Sequence, residues 1–133
     1  MLCDVGADVA YGFLADPQAL GTWALGCWDA EPVGEDEVRG RSLFDGSETV
    51  VRLARAPDRR LVDFAVGGPG EALVPRISAR VTPGEALGRS PEQCLVTLVA
   101  YRTAEMTPER WKRLRETHDV EVRLLKTRIE ASG

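Results

Sequence analysis

The chain has 133 residues, of which 44% are hydrophobic and 29% charged, with 21 acidic and 17 basic side chains. This fits one soluble globular domain over residues 1–133, and no apolar run approaches the ~20 residues that cross a bilayer. Because the chain shows neither a secretory signal nor a basic patch interleaved with aromatic residues, we expect a cytoplasmic protein that binds neither membrane nor nucleic acid.

Two short helices are predicted near the start, after a short apolar strand in "MLCDV". Val9, Phe13 and Leu14 recur at helical spacing, which favours a helix over roughly residues 7–15. Asp16 is a good N-cap and Pro17 suits a first turn, so a second helix is expected over roughly residues 17–24.

Six strands are predicted next, because the apolar spacing changes to alternation. The strand-like runs are "LGCWDAEPVG", "VRGRSLFDG", "SETVVRLARA", "RLVDFAVG", "LVPRISARVT" and "QCLVTLVAYRT". Turn residues separate them, including the "GGPGE" loop, which lacks the Lys and the helix of a phosphate-binding loop. The order predicts an antiparallel meander.

The run "PRISARV" shows the alternation most clearly. Ile77 and Ala79 are expected on the buried face of the sheet, and Arg76 and Arg80 on the opposite face. We therefore expect both arginines to face solvent.

A long helix is predicted over residues 107–131, with Thr107 as N-cap and Pro108 at the first helical position. One stripe of this helix, expected to face the core, collects Trp111, Leu114, His118, Val122, Leu125 and Ile129. Val120 and Leu124 form a second, weakly apolar stripe on the other side. They are either tolerated exposed residues or the interface of a homodimer.

The three cysteines, Cys3, Cys27 and Cys94, lie far apart in sequence, and the chain has one histidine. With no CxxC pair, neither a disulfide framework nor a metal site is predicted, and no cofactor is expected. We expect reduced, mostly buried thiols.

The order of a short strand, two short helices, six strands and a long helix resembles the START-like or SRPBCC superfamily, which includes polyketide cyclases and aromatases. Three segments carry the resemblance: "ADVAYGFLADPQALGTW", similar to the entry helices, "CLVTLVAYR", similar to the last strand, and "WKRLRETHDVEVRLLKTRIE", similar to the closing helix. The resemblance implies an α+β helix-grip fold. In it, a curved antiparallel sheet of six or seven strands wraps around the C-terminal helix and leaves a cavity between them.

The candidate ligand-binding residues are aromatic and helix side chains that the resemblance places at the cavity wall. They are Trp23, Trp28, Phe64, Tyr101, Trp111, Leu114, His118 and Val122. Apolar walls with a few polar groups are typical of small-molecule sites, although aromatic side chains can also simply fill a core. We expect Trp23, Tyr101, Trp111 and His118 to line one continuous cavity.

His118 and Tyr101 are the candidate acid–base residues if the protein is an enzyme. Histidine exchanges protons near neutral pH, and a buried tyrosine hydroxyl needs a hydrogen-bond partner. Three interpretations of His118 stay open: a histidine hydrogen-bonded within the core, a ligand contact without proton transfer, and a catalytic group.

Three functions follow from this fold. The first is binding of a small, largely hydrophobic molecule in the cavity. The second is a polyketide cyclase, aromatase or dehydratase that uses the same cavity, and the third is a protein-interaction module similar to the Hsp90 ATPase activators. A large cavity with converging polar groups would favour the first two, and a filled core with an exposed apolar face would favour the third.

Overall fold

The computed structural model describes residues 1–133 as seven strands, three α-helices and three short 3-10 turns. The helices are α1 (Ala7–Ala15), α2 (Pro17–Leu20) and α3 (Pro108–Ser132). The strands are β1 (Leu2–Cys3), β2 (Trp28–Pro32), β3 (Glu37–Arg41), β4 (Glu48–Ala56), β5 (Leu61–Gly67), β6 (Val74–Pro83) and β7 (Cys94–Ala100). The predicted α+β class and element order are confirmed.

All seven strands belong to one antiparallel sheet, which is curved and unclosed. The spatial order is β1-β7-β6-β5-β4-β3-β2, so the six longer strands form a meander and β1 adds to its far edge. β1 is short, as expected, and pairs Leu2 with Leu95 and Cys3 with Cys94. Six strands were predicted as a meander after a short first strand, and both predictions are confirmed.

The core lies between one face of the sheet, α1 and the C-terminal half of α3. Ala10 and Leu14 of α1 and Leu125 and Ile129 of α3 are almost completely buried in it. Alternate side chains of the strands, such as those of Val62, complete the cluster, as expected for a sheet with one buried face.

The second helix ends at Leu20 rather than at residue 24. The Gly21 carbonyl accepts a hydrogen bond of 3.0 Å from the Asp29 N–H, which ties the helix end to β2. A Cβ on Gly21 would lie 2.2 Å from the Ala30 nitrogen, so only glycine allows this approach. The segment that follows α2 therefore turns away from a helical path and carries Trp23 into the interior.

The long helix begins as predicted. The Thr107 hydroxyl accepts a hydrogen bond of 3.1 Å from the Arg110 N–H, and Pro108 occupies the first turn. The helix continues to Ser132, one residue beyond the predicted end. Neither α3 nor any other helix is long and apolar enough to cross a membrane.

All three cysteine thiols are free and buried, as expected. The chain nevertheless brings two of them together, because Cys3 and Cys94 lie opposite each other on β1 and β7. Burial raises the pKa of Cys3 and of Cys27 to about 11, so both thiols stay protonated at neutral pH. They act as small hydrophobic side chains.

Candidate functional site

A cavity of about 620 Å³ lies between the sheet and the N-terminal half of α3. Four parts of the chain line it: residues 20–27 at the end of α2 and after it, residues 42–45 between β3 and β4, inward-facing residues of β4 to β7, and residues 110–121 of α3. Just over half of the lining residues are hydrophobic. The helix thus covers a filled core at one end and a cavity at the other.

Trp23 and Phe64 form the rigid apolar part of the wall. Their rings meet edge to face, with centroids 5.7 Å apart and planes at 80°. Both are nearly fully buried, and Val51, Ile77 and Ala100 extend the apolar surface across the sheet. Edge-to-face aromatic pairs are favourable beyond their buried area, so this part of the wall keeps its shape.

Glu121 is the buried charge-bearing group of the site. It is only 5% exposed and lines the cavity from α3. Its Oε2 accepts a hydrogen bond of 2.9 Å from the Leu25 N–H, whereas Oε1 has no partner in the protein. Burial raises the pKa of Glu121 to about 7, an effect that the Leu25 N–H partly offsets. Near neutral pH this carboxyl group can therefore both release and accept a proton.

His118 lies beside Glu121 on the same side of α3. Residues three apart on a helix are neighbours, with about 5–6 Å between their Cβ atoms. The Nδ1 atom of His118 is buried and has no hydrogen-bond partner. No ion pair joins His118 to Glu121. The structure contains no group of three His, Cys, Asp or Glu side chains that could hold a metal ion. The pair offers hydrogen bonds and proton transfer to the cavity.

Arg76 also lines the cavity, and the expectation that it faces solvent is wrong. Phe64 of β5 pairs with Ile77, but the next residue, Ala65, pairs with Pro75, so Arg76 is an extra residue in β6. Such a bulge re-aims a side chain, which alternation in the sequence cannot reveal. The Arg76 side chain is 18% exposed, whereas Arg80 faces outward as expected.

The Arg76 guanidinium is held from one side. It donates a hydrogen bond of 3.1 Å to the Thr103 hydroxyl, and it lies 3.8 Å from the carboxylate of Glu105. Arginine has five N–H donors, so further donors remain for a carbonyl or carboxylate oxygen in the cavity. The cavity thus has a donor group on the sheet and an acid–base pair on the helix.

Four of the predicted ligand-binding residues line the cavity: Trp23, Phe64, Leu114 and His118. The expectation that Tyr101 lines it is wrong. Tyr101 is 42% exposed, and its hydroxyl forms a hydrogen bond of 2.8 Å with Ser78. Because Ala100 faces the cavity, the next residue faces the other side of the sheet. Tyr101 is therefore separated from His118.

Trp111, Trp28 and Val122 are also absent from the cavity wall. Trp111 is partly exposed, and the Arg102 guanidinium lies 6.0 Å from the centre of its ring. Trp28 lines a separate shallow groove beside β2 and β3, and Val122 packs against the core. The predicted helix stripe is centred about 60 degrees away from Glu121, so it includes Trp111 and Val122, which lie away from the cavity.

The second stripe of α3 is only partly exposed. Val120 is 54% exposed and borders the cavity, but Leu124 is partly buried against the core. The expectation that both residues share an outward face is therefore wrong for Leu124. A homodimer through this stripe stays a prediction, with Val120 as its remaining exposed apolar residue.

Sequence patterns missed Glu121 and Arg76, and a usable signal existed for only one of them. Glu121 follows Leu114 by seven residues and precedes Leu125 by four, and Ile129 follows four residues later, so the acid lies on one helical stripe with three apolar residues. An acid in that position interrupts an apolar stripe, as His118 does on the same helix. Nothing in the sequence of β6 marks the bulge that turns Arg76 inward.

The chain matches no protein-family model and no curated protein. Solved structures share its fold. A conserved protein from Geobacillus kaustophilus superposes with a TM-score of 0.66 at 15% identity, covering 99% of this chain and 93% of that one. A Bacillus thuringiensis protein gives 0.69 at 13% identity, with coverage of 97% and 94%.

A third structure is the di-domain ARO/CYC BexL from the BE-7585A biosynthetic pathway. It superposes with a TM-score of 0.66 at 19% identity, covering 99% of this chain and 44% of BexL. At these identities the likeness concerns the fold alone.

The raised pKa of Glu121 predicts how stability depends on pH. Its ordinary value is 4.5 and its folded value about 7, so between these values the folded protein keeps a proton that the unfolded chain releases. The contribution of this group to stability is therefore fully present below pH 4.5 and lost as the pH rises through about 7. From pH 4.5 to about 8, we expect wild-type stability to fall by roughly 3 kcal/mol more than that of Glu121→Gln.

Urea unfolding at a series of pH values measures this difference. Asp119→Asn removes an exposed carboxylate from the same helix and should follow the wild type. Parallel pH curves for the wild type and Glu121→Gln would contradict the burial of an ionisable Glu121.

Proposed function

We propose that the protein binds a small, largely hydrophobic molecule in the cavity between the sheet and α3. The supporting observation is an apolar cavity of about 620 Å³ whose wall holds the nearly buried Glu121, whose Oε1 accepts no hydrogen bond from the protein, beside His118. Small-molecule sites have this size and this combination of an apolar wall with few polar groups. A core designed only for stability would fill the space, because voids lose packing energy.

The rim of the cavity supports the entry of an apolar molecule. Phe44, in the turn between β3 and β4, is 64% exposed, and Val120 of α3 is 54% exposed. Both border the cavity, one from each side. Exposed apolar side chains are favourable where an apolar molecule crosses from water into a protein. The interaction-module alternative has less support, because the space beneath the first half of α3 is not filled.

A cyclase- or dehydratase-like enzyme is the second candidate. Glu121 combines burial, a raised pKa and a neighbouring imidazole in an apolar cavity, which is a pattern typical of acid–base catalysis. BexL, a structure with the same fold, is an ARO/CYC protein. Such chemistry would begin with transfer of a proton from a carbon next to a carbonyl to Glu121 Oε1, while His118 or Arg76 donates a hydrogen bond to the carbonyl oxygen.

Filling the cavity should abolish ligand binding. Ala100 lines the cavity from β7, so the Phe side chain of Ala100→Phe would occupy space that a ligand needs. We expect the dissociation constant of the fluorescent probe N-phenyl-1-naphthylamine to rise about tenfold or more, a loss of at least ~1.4 kcal/mol.

Ala54→Phe is the matched control, because Ala54 is exposed on β4 and does not border the cavity. Its probe affinity should equal that of the wild type, and thermal melting should verify that both variants fold. Unchanged probe binding in Ala100→Phe would exclude the cavity as the binding site.

The enzymatic candidate predicts proton exchange on a bound ketone. In deuterium oxide, the wild type should accelerate exchange of the methylene protons of 2-naphthylacetone, followed by ¹H NMR. Glu121→Gln should slow this exchange by about a hundredfold, and His118→Ala should slow it to a smaller extent. Exchange no faster than in buffer, or indifferent to Glu121→Gln, would rule out Glu121 as the base.

A further inference from the structure

The polar atoms that the protein leaves unpaired in its cavity are concentrated on one turn of α3. Glu121 is only 5% exposed, and its Oε1 has no partner. The Nδ1 atom of His118, three residues earlier, is buried and equally without a partner. More than nine in ten buried polar groups in proteins are hydrogen-bonded, so an unpartnered His118 Nδ1 beside a carboxyl group with one oxygen free needs an explanation.

The orientation of Glu121 is set by one hydrogen bond. The Leu25 N–H donates to Oε2 at 2.9 Å and so holds the carboxyl group across the gap between residues 20–27 and α3. With Oε2 engaged, Oε1 is the oxygen left for the cavity that Glu121 lines. A carboxylate held in this way presents an acceptor at a defined position on an otherwise apolar wall.

No group of the protein compensates the charge of Glu121. None of the ion pairs in the structure includes it, and Trp23 and Phe64 on the facing wall are apolar. A buried carboxylate with a single hydrogen bond is costly, so a ligand that donates a second one to Oε1 gains more than its apolar contacts alone.

Resting on the proposed function, we propose that the ligand is a neutral, mainly apolar molecule that carries a hydroxyl group, and that this hydroxyl donates to Glu121 Oε1. The imidazole of His118, which lines the cavity one turn earlier in α3, borders the same polar subsite. The rest of the ligand packs on Trp23 and Phe64. This assignment names both the class of ligand and its orientation.

The charges around the cavity favour a neutral hydroxyl over an ammonium group, which could also donate to Glu121. Three arginines border the cavity: Arg76, Arg110 and Arg113. Besides Glu121, the acids that border it are Asp45 and Glu116. An ammonium group that reaches Glu121 shares the cavity with these three arginines, whereas a neutral hydroxyl group is not repelled by them.

Three tricyclic probes of similar size test the proposal: 9-phenanthrol, its methyl ether 9-methoxyphenanthrene, and 9-phenanthrenemethanamine, which is cationic. Equilibrium dialysis at about pH 8 measures their affinities. We expect the phenol to bind wild-type protein about tenfold tighter than the ether or more, because hydrogen bonds to charged groups are strong. The amine should bind more weakly than the phenol.

Glu121→Gln tests whether the preference arises at this residue. The Gln oxygen must accept from the Leu25 N–H, so its NH₂ group faces the cavity and no longer accepts. The phenol-to-ether affinity ratio should then fall to about one or below. Asp119→Asn, an exposed change on the same helix, should keep the wild-type ratio.

The possible outcomes distinguish failure of the hydroxyl subsite from failure of ligand binding in the cavity. Equal binding of phenol and ether to the wild type, with both blocked by Ala100→Phe, would overturn the hydroxyl subsite and leave cavity binding standing. A preference that survives Glu121→Gln, or tighter binding of the amine, would also overturn it. If none of the three probes binds, the subsite and the proposed function are both contradicted.

Discussion

The hydrogen bond from the Leu25 N–H to Glu121 Oε2 lies at the boundary between the filled and the hollow part of the protein. Toward the C-terminus of α3, Leu125 and Ile129 pack into the core. Toward its N-terminus, residues 110–121 border the cavity instead. The bond joins α3 to the segment after α2 at this boundary, and so helps to hold the helix over the cavity. It also decides which carboxyl oxygen faces the cavity.

This arrangement lowers the stability of the folded state, but it places a group that can exchange a proton inside an apolar cavity. An ionisable group held in an apolar environment destabilises the folded state near neutral pH, and natural cores rarely keep such a group without a use. On the opposite wall, the bulge in β6 turns Arg76 inward. An acceptor and a donor thus face one apolar cavity from different elements, which suits a small molecule with polar atoms on an apolar frame.

The order of the elements could be predicted because local rules determine it. Alternation in "PRISARV", the Asp16-Pro17 pair and the Thr107-Pro108 pair each specify a strand or a helix start from a few neighbouring residues. The end of α2 was predicted too late, because its cause is the close approach of Gly21 to Ala30 in another element. A contact between two elements of this kind cannot be predicted from the spacing of neighbouring residues in the sequence.

The candidate site could be predicted only in part, for two physical reasons. Apolar spacing orients a helix when all of its inner face is apolar, but α3 presents Glu121 to a cavity, about 60 degrees from the centre of the predicted stripe. Side-chain alternation assigns the faces of a strand only where pairing is regular, and the bulge at Arg76 breaks that regularity. Trp23, Phe64, Leu114 and His118 line the cavity, and it is the resemblance in fold that predicts this position for them.

The most direct test of a buried, proton-exchanging Glu121 is a ¹³C NMR titration of its side-chain carboxyl carbon, assigned by comparison with Glu121→Gln. We expect a midpoint of about 7, because burial raises the pKa of this group. A midpoint near the ordinary value of 4.5 would show that water reaches the carboxylate freely, and it would contradict the buried polar subsite on which the proposed chemistry rests.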